Sequence, residues 1–474
     1  MHPFDAFLNN TATDPEKPAV AQGHLVWSRA QLLDRAAQLA AALSGQGLQP
    51  GQRVLVALPN TADLVALIPA IWSLGGLPMF VSAKATDHQR QLIQSRHAPD
   101  LTIDTAGLAQ LEAPRPSLGT HRPDASSDAS VVFTSGSSGP PKGVVQTGAT
   151  LTEGVARVAR SIGYNPEERI LVPIPFAHDY GWGQLLSGLV GGHFLILPER
   201  DILPDIAKAI NTHRPTVFAG VPSLYSALLF GISGFETADT DSLRLLTSTG
   251  SPFTDGLFKA LSDRIPAARI LRNYGLTETY RTCCLSPDQS ASRPGSVGQP
   301  IDGVELRIVD GKGSCLPPGQ EGEVIHLGKG VFERYLDDPD ATSQTRRLLD
   351  GQPAVFTGDV GMLCEEGFLH LYGRRDRLIK SLDIRVSLDD VEEAMEDLPN
   401  VAEIAVLARE HDIQGSELVA FCVPSEEVTA RQIQIAANRA LPTHMRPRHI
   451  YLLKQMPRTP VGKVDYPALR SKHL

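Results

Sequence analysis

Apolar and polar positions along the chain follow two alternating patterns. Between residues 25 and 48, Leu32, Leu33, Ala36, Leu39, Ala40 and Leu43 recur at three and four residues, which predicts an amphipathic helix ending in the glycine-rich GQGLQPG. An apolar strand-like run follows at 54–59, and runs of the same kind recur at 170–175, 193–198, 216–222 and 244–250. Helical segments such as 204–213 and 223–230 separate them. Buried strands alternating with helices predict an α/β fold of layered, mostly parallel sheets. After residue 300 the texture becomes β-rich, as in VELRIVD and GEVIHLG. From about residue 391 the elements are short, with a helix at 388–398, strands near 402–408 and 418–423, and a helix at 429–441. The expected division is a large N-terminal domain, residues 1–375, of layered α/β subdomains plus a β-rich subdomain, and a small α+β C-terminal domain, residues 376–474.

One stretch imitates a membrane span. Residues 64–83 are twenty uncharged positions, long enough to cross a bilayer. Pro69, Pro78 and the pair Gly75-Gly76 interrupt it, so a buried helix at 62–74, a turn and a short strand at 78–82 are expected instead. The 474 residues are 42% apolar and 20% charged, which excludes a disordered chain and a disulfide-stapled miniprotein. With 44 basic and 53 acidic residues the net charge is −9, which argues against a nucleic-acid partner. The five cysteines include no CxxC pair and no zinc-type spacing, and the N-terminus lacks the pattern of a secretion signal. A cytoplasmic protein with reduced thiols is expected, Cys283 and Cys284 being neighbours in a strand.

The most informative segment is 131–143, VVFTSGSSGPPKG. An apolar strand runs into Thr134, Ser135, Gly136, Ser137, Ser138 and Gly139, followed by Lys142. Glycines let successive amides converge on an anion, hydroxyls add donors, and the lysine adds charge. The order differs from the nucleotide loop in which Gly-Lys-Ser/Thr opens a helix, so a kinase of that class is disfavoured. Further on stand Tyr274-Gly275-Leu276-Thr277-Glu278, Phe356-Thr357-Gly358-Asp359, Gly373-Arg374-Arg375-Asp376 with Ile379-Lys380, and Arg458-Thr459-Pro460-Val461-Gly462-Lys463.

Taken together and in this order, these segments resemble the adenylate-forming superfamily of acyl-CoA synthetases, adenylation domains of nonribosomal peptide synthetases and firefly luciferase. The resemblance spans about residues 25–470. It implies an enzyme of the AMP-forming acid–thiol ligase kind. In such enzymes a carboxylic acid attacks the α-phosphate of ATP, pyrophosphate leaves, and the acyl-adenylate passes its acyl group to a thiol. ATP, Mg2+ and either CoA or the phosphopantetheine of a separate carrier protein are the implied cofactors and co-substrates. Thr134–Ser138, Gly139 and Lys142 match the loop holding the β- and γ-phosphates. Glu278 matches the magnesium ligand, with Thr277 beside it on phosphate. Asp359 matches the acid that takes both ribose hydroxyls, and Arg374 a second ribose contact. Tyr274 and Gly275 match one wall of the adenine site, and Gly250, Ser251 and Pro252 the other. Lys463 matches the lysine that bridges the substrate carboxylate and the α-phosphate. Asp376 matches the hinge of a mobile C-terminal domain.

The segment 176–183 resembles the family's acyl-site border. His178 is expected near the reacting carboxylate, and Tyr180, Trp182, Val221, Pro222, Gly250 and Leu276 are expected to line the same cavity. Asp179 stands where amino-acid-activating members carry an acid for the ammonium group, but a helix-capping role accounts for it nearly as well. Amino, aryl and short aliphatic acids therefore all stay open. Arg281 faces either this pocket or solvent. Two departures stand out: Asp383 and Arg334 both replace a glycine common in the family. The first places the thiol-transfer step in question and keeps a non-thiol acceptor open. A non-catalytic nucleotide-binding protein is the competing class, disfavoured by the joint presence of Lys142, Glu278, Asp359 and Lys463.

Overall fold

The computed structural model describes the chain except residues 112–114, 135–140, 251, 252, 254, 291, 294, 382, 383, 397, 412–414, 460–462 and 474; at 88, 255, 380, 384, 385, 410, 411, 415 and 416 only the backbone is described. Two sheets form the large N-terminal part. The smaller runs in the order Arg334–Tyr335, Lys142–Thr147, Asp128–Thr134, Leu77–Phe80, Arg53–Ala57, Leu101–Asp104. The larger has a parallel half, in which Val217–Gly220 lies between Arg169–Leu171 and Leu245–Ser248, and Leu245–Ser248 pairs in turn with Arg269–Tyr274. It continues antiparallel through Cys283–Leu285, Ser296–Pro300, Leu369–Arg374, Gln352–Leu363, Gly322–Gly328 and Val304–Val309. A separate sheet of Val401–His411, Gly415–Pro424 and His449–Leu452 carries the C-terminal part, packed on helices Leu388–Glu396 and Ala430–Ala440 through Val391, Met395, Ile433 and Ala437. Layered α/β with a small C-terminal domain is the architecture the periodicity predicts.

The first long helix is shorter than its apolar pattern suggests. It runs Arg29–Gly45, because Ser28 caps it and exchanges side-chain bonds with Gln31, while Leu25–Ser28 pairs instead with Pro18–Gln22. The span-like stretch divides as expected into helix Ala62–Ser73, a turn with Gly75 at φ +75°, and strand Leu77–Phe80. Nearly every side chain of that helix is buried. Among the described residues no helix is long and apolar enough to cross a membrane. Cys283 is buried and Cys284 half-buried in a strand, and neither is disulfide-bonded.

The N-terminus is built into the core. His2 is 1% exposed, accepts the Phe4 amide on Nδ1 at 3.1 Å, and stacks edge-on against Trp72. Its Nε2 has no partner, and burial pushes the imidazole down from 6.5 to about 4. The unfolded chain therefore binds this proton more tightly, and stability falls as pH drops from 6.5 towards 4. At pH 5 the contribution of this one group is about 2 kcal/mol. His2→Asn keeps an acceptor at the cap and removes the titration. Its urea midpoint is expected to fall less between pH 7 and pH 5 than that of the wild type; equal falls would take His2 out of the acid response.

Candidate active site

Four neighbouring parallel strands end at one edge, and the carboxyl ends of such strands are where α/β sheets present ligand sites. Beyond Arg169–Leu171 come His178 and Asp179; beyond Val217–Gly220, Val221; beyond Leu245–Ser248, Gly250; beyond Arg269–Tyr274, Gly275–Glu278. The helix Asp179–Leu189 starts hard against the incoming chain. A Cβ at Gly181 would lie 2.1 Å from the Pro175 carbonyl oxygen, so only glycine permits that approach. Burial, then the Lys463 charge, pushes His178 down to about 4, leaving it a neutral imidazole at neutral pH. Burial raises Asp179 to about 7, against the pull of Arg281 and Lys463. Asp179 does not cap its helix, and its Oδ1 has no hydrogen-bond partner.

A second corner forms around the hairpin of Asp128–Thr134 and Lys142–Thr147, in which Thr134 lies opposite Lys142. Ser135, Gly136, Ser137, Ser138 and Gly139 lie outside the described residues, as do Ser251 and Pro252. The hairpin is stitched to the turn Thr277–Thr279: Gln146 Nε2 donates to the Thr277 carbonyl at 2.9 Å, and the Phe332 amide donates to the Glu278 carbonyl at 2.9 Å. Tyr335, paired with Val144, donates its hydroxyl to Glu278 Oε1 at 2.6 Å, and the Lys142 ammonium lies 5.1 Å from the Tyr335 ring centre. Lys142, Tyr335 and Glu278 thus share one corner. Tyr335 was not singled out from the sequence, although it sits in the ERYL segment. Its neighbour Arg334, the second departure from glycine, pairs with both carboxylate oxygens of Asp128 and pins this short strand to the hairpin.

The third part joins the two sheet halves. Asp359 is 6% exposed and pairs in register with Arg374. Arg374 Nη1 donates to Asp359 Oδ1 at 3.2 Å and to the Thr357 carbonyl at 2.7 Å, while the Tyr274 hydroxyl donates to Asp359 Oδ2. Burial raises the Asp359 pKa in spite of Arg374. Tyr274 is therefore more than a flat wall, since its polar end is committed to the acid. Asp376 follows in the turn Arg375–Arg377, 3.6 Å from Arg374 Nε.

Lys463 is exposed, and its segment is held by the Arg458–Val464 bridge and a 2.7 Å bond from the Thr459 amide to the Lys463 carbonyl. Gln89 of the large part donates to the Arg458 carbonyl at 3.5 Å. Buried Met456 and Leu469 root the chain on either side of this segment. Three residues beyond Lys463, Tyr466 donates to Glu392 (2.9 Å to Oε2), and Glu392 also pairs with Arg377 at 2.7 Å, which ties this segment to the turn containing Asp376. Burial raises Glu392 to about 7. Of Lys380 and Arg385 only the backbone pairing is described, and Asp383 lies outside the described residues.

The expected acyl pocket is only partly brought together. Tyr180, with its hydroxyl on Thr247, borders a cavity between helices Gly148–Ile162 and Asp179–Leu189. Val221 lies 4.0 Å from where a Gly250 Cβ would be, and Leu276 is half-buried beside Glu278. Trp182 departs from the expectation. It is fully buried in the main core, 4.6 Å from Phe80 and 6.1 Å from Trp72 between ring centres. Arg281, open in the sequence, points inward: it is 8% exposed with its guanidinium 5.3 Å from the Tyr180 ring centre.

The model of the family described as "AMP-binding enzyme" matches residues 7–336, and that of its C-terminal domain matches residues 390–463. The chain belongs to the AMP-binding enzyme family. This is the adenylate-forming superfamily that its motifs resemble. The 2-succinylbenzoate–CoA ligase of Bacillus pumilus is 26% identical over 487 residues, covering 98% of this chain and 97% of that one. Phenyloxazoline synthase MbtB of Mycobacterium tuberculosis is 29% identical over 491 residues, covering 97% of this chain but 34% of that larger protein. Among solved structures, the o-succinylbenzoate CoA synthetase of Bacillus subtilis in complex with its acyl-adenylate intermediate superposes with a TM-score of 0.88 at 24% identity, covering 99% of this chain and 98% of that one.

Proposed function

We propose that this chain joins a small carboxylic acid to a pantetheine thiol, of CoA or of a separate carrier protein, through an acyl-adenylate. As an AMP-binding enzyme it is an ATP-dependent, AMP-forming ligase. In the first step a carboxylate oxygen bonds to the α-phosphorus of ATP, the bond to the β-phosphate oxygen breaks, and pyrophosphate leaves. In the second, a thiolate sulfur bonds to the acyl carbon and AMP departs with the former carboxylate oxygen. Two anions meet in the first step, so positive charge must be held where negative charge gathers.

The observation that supports this reading is the gathering of His178, Gly250 and Glu278 at one edge of four parallel strands, beside the Lys142–Tyr335–Glu278 corner and the Asp359–Arg374–Tyr274 cluster. Lys463 draws the carboxylate and the α-phosphate together, and neutral His178 lines the acid's path without repelling the cation. Lys142 and the loop from Thr134 hold the outer phosphates, with Thr277 beside them. Asp359 and Arg374 take the ribose, and Tyr274 with Gly275 and Gly250 flank the base. Glu278 would hold Mg2+, which suits an ion bound through one or two carboxylates and substrate phosphates; when bound it neutralises the polyphosphate. Tyr335 keeps the Glu278 carboxylate aimed at that corner. The boundary is at residue 376, with Asp376 as the hinge, a reading supported by the separate core of the C-terminal part. Five cysteines free of disulfides support a reducing, cytoplasmic setting.

Acid-dependent ATP–pyrophosphate exchange tests the first step, and formation of AMP with CoA or a pantetheinylated carrier protein tests the second. Exchange and thioester formation are both expected. ADP as the product would overturn the reading, and exchange without transfer to either thiol would remove the thiol acceptor.

A further inference from the structure

Resting on the reading of Lys142, Tyr335 and Glu278 as the outer-phosphate corner, we propose that Asp337 is a positioning residue for the β- and γ-phosphates of ATP. Gripped by Arg53 and His97, it sets the place of the Tyr335 ring between Lys142 and Glu278. The strand that carries Tyr335 is too short to do this by itself. It has two residues, Arg334 and Tyr335, and lies at the edge of the smaller sheet against Lys142–Thr147. Its flanks therefore decide where the ring stands. On one flank, Arg334 pairs with Asp128 at the base of the hairpin. On the other, the Leu336 amide donates to the Gly143 carbonyl at 2.7 Å, and the chain then turns through Asp337 at φ 54°. Glycine would make this left-handed turn with less strain. What aspartate adds is its carboxylate.

That carboxylate is held by two elements remote in the chain. Arg53, which opens the strand Arg53–Ala57, donates from Nη2 to Asp337 Oδ1 at 2.9 Å and from Nη1 to Oδ2 at 2.8 Å. Two parallel bonds of this kind fix direction as well as distance. The same Nη1 donates at 2.8 Å to the carbonyl of His97, the last residue of helix Asp87–His97. Burial works to raise the Asp337 carboxyl, but Arg53 and His97 outweigh it and hold it below its usual value. His97 is 1% exposed, with Nδ1 3.1 Å from Asp337 Oδ2. An ionised carboxylate only accepts, so this Nδ1 carries the proton and donates. Its Nε2 has no hydrogen-bond partner, and a buried acceptor left unpaired is costly, so an apolar side chain would serve better if packing were its whole task. The ring also packs on Phe133, 5.3 Å between centres, the residue before Thr134 at the entry to the phosphate loop. His97 thus touches both the strand that leads into the loop and the turn behind Tyr335. Two residues before Asp337, the Tyr335 hydroxyl donates to Glu278 at 2.6 Å and its ring faces the Lys142 ammonium at 5.1 Å. A displaced ring would release both groups. Asp359, Arg374 and Tyr274, proposed for the ribose and base, lie on the larger sheet, so Asp337 acts on the outer phosphates and not on the nucleoside.

Calorimetric titration of the whole enzyme with ATP and with AMP, each in excess Mg2+ and with no acid present, tests this. Asp337→Gly keeps the turn and removes the carboxylate. It is expected to weaken ATP binding on the order of 10-fold, the loss typical when a group behind a metal ligand is removed, and to leave AMP binding within about twofold. Asp337→Asn, which retains an acceptor for Arg53, is expected to recover part of that loss. Added to Tyr335→Phe, Asp337→Gly is expected to weaken ATP less than it does alone, because both act along one route. Arg53→Gln leaves the turn and the His97 bond in place and carries the same expectation should Asp337→Gly not fold. Equal losses on ATP and AMP would show a purely structural role and overturn the proposal. Unchanged ATP affinity, or full additivity with Tyr335→Phe, would overturn it as well. An ATP-only loss in an enzyme that shows no pyrophosphate exchange with any acid would uphold it and overturn the adenylating reading instead.

Discussion

Lys463→Ala is expected to slow acid-dependent ATP–pyrophosphate exchange by roughly 10²–10³, the cost of losing one group that stabilises charge at the reacting centre. ATP affinity, read by fluorescence or calorimetric titration, is expected to change far less. The reason lies in where Lys463 stands. It is exposed in a segment rooted in the small C-terminal core, and its charge is one of the causes that hold the His178 imidazole low. The groups proposed for the outer phosphates and the ribose, Lys142, Asp359 and Arg374, all belong to the large part. Removing the lysine leaves those intact and takes away the charge that lets a carboxylate approach the α-phosphate. Exchange at the wild-type rate would remove Lys463 from its assigned role. Loss of ATP binding in step with exchange would make it a nucleotide-binding residue instead.

The layered fold was legible because its signals are local. Apolar runs alternate with helical segments, and the chain leaves four adjacent parallel strands at one shared edge. Two of the motifs that carry the family resemblance lie at those strand ends and on the Thr134–Lys142 hairpin, whereas Phe356–Asp359 and Gly373–Asp376 lie on the antiparallel half of the sheet and its following turn, and Arg458 and Lys463 in the C-terminal part. Pairings across the chain were not legible. The Tyr335–Glu278 bond spans 57 positions and the Tyr274–Asp359 bond 85, and nothing in either segment announces its partner. Arg334 stands where the family commonly has glycine, and the partner that accounts for it, Asp128, lies 206 positions away. Arg281 depended on a single strained residue, Tyr280 at φ 57°, whose backbone no propensity predicts. The overlong first helix is different. There the Ser28–Gln31 capping pair was present in the sequence, and the apolar periodicity outweighed it.

Trp182→Ala is expected to destabilise the large domain by about 3–5 kcal/mol, the usual cost of emptying a buried aromatic site, read as a lower urea midpoint. Helical spacing explains why this residue belongs to the core. Tyr180, Gly183, Gln184 and Ser187 line the cavity and fall on one face of helix Asp179–Leu189, at intervals of three and four. Trp182 projects from the opposite face, between Phe80 and Trp72. Its indole Nε1 is buried without a partner, so the N–H contributes no bond and adds a desolvation cost. Trp182→Phe discards that N–H along with part of the ring, and its loss should be well under half that of the alanine variant. Because the ring faces away from the cavity, the rank order of acids in pyrophosphate exchange is expected to be the same in Trp182→Phe as in the wild type. A changed order would return Trp182 to the acyl pocket and show that the core between the two sheets extends into substrate recognition.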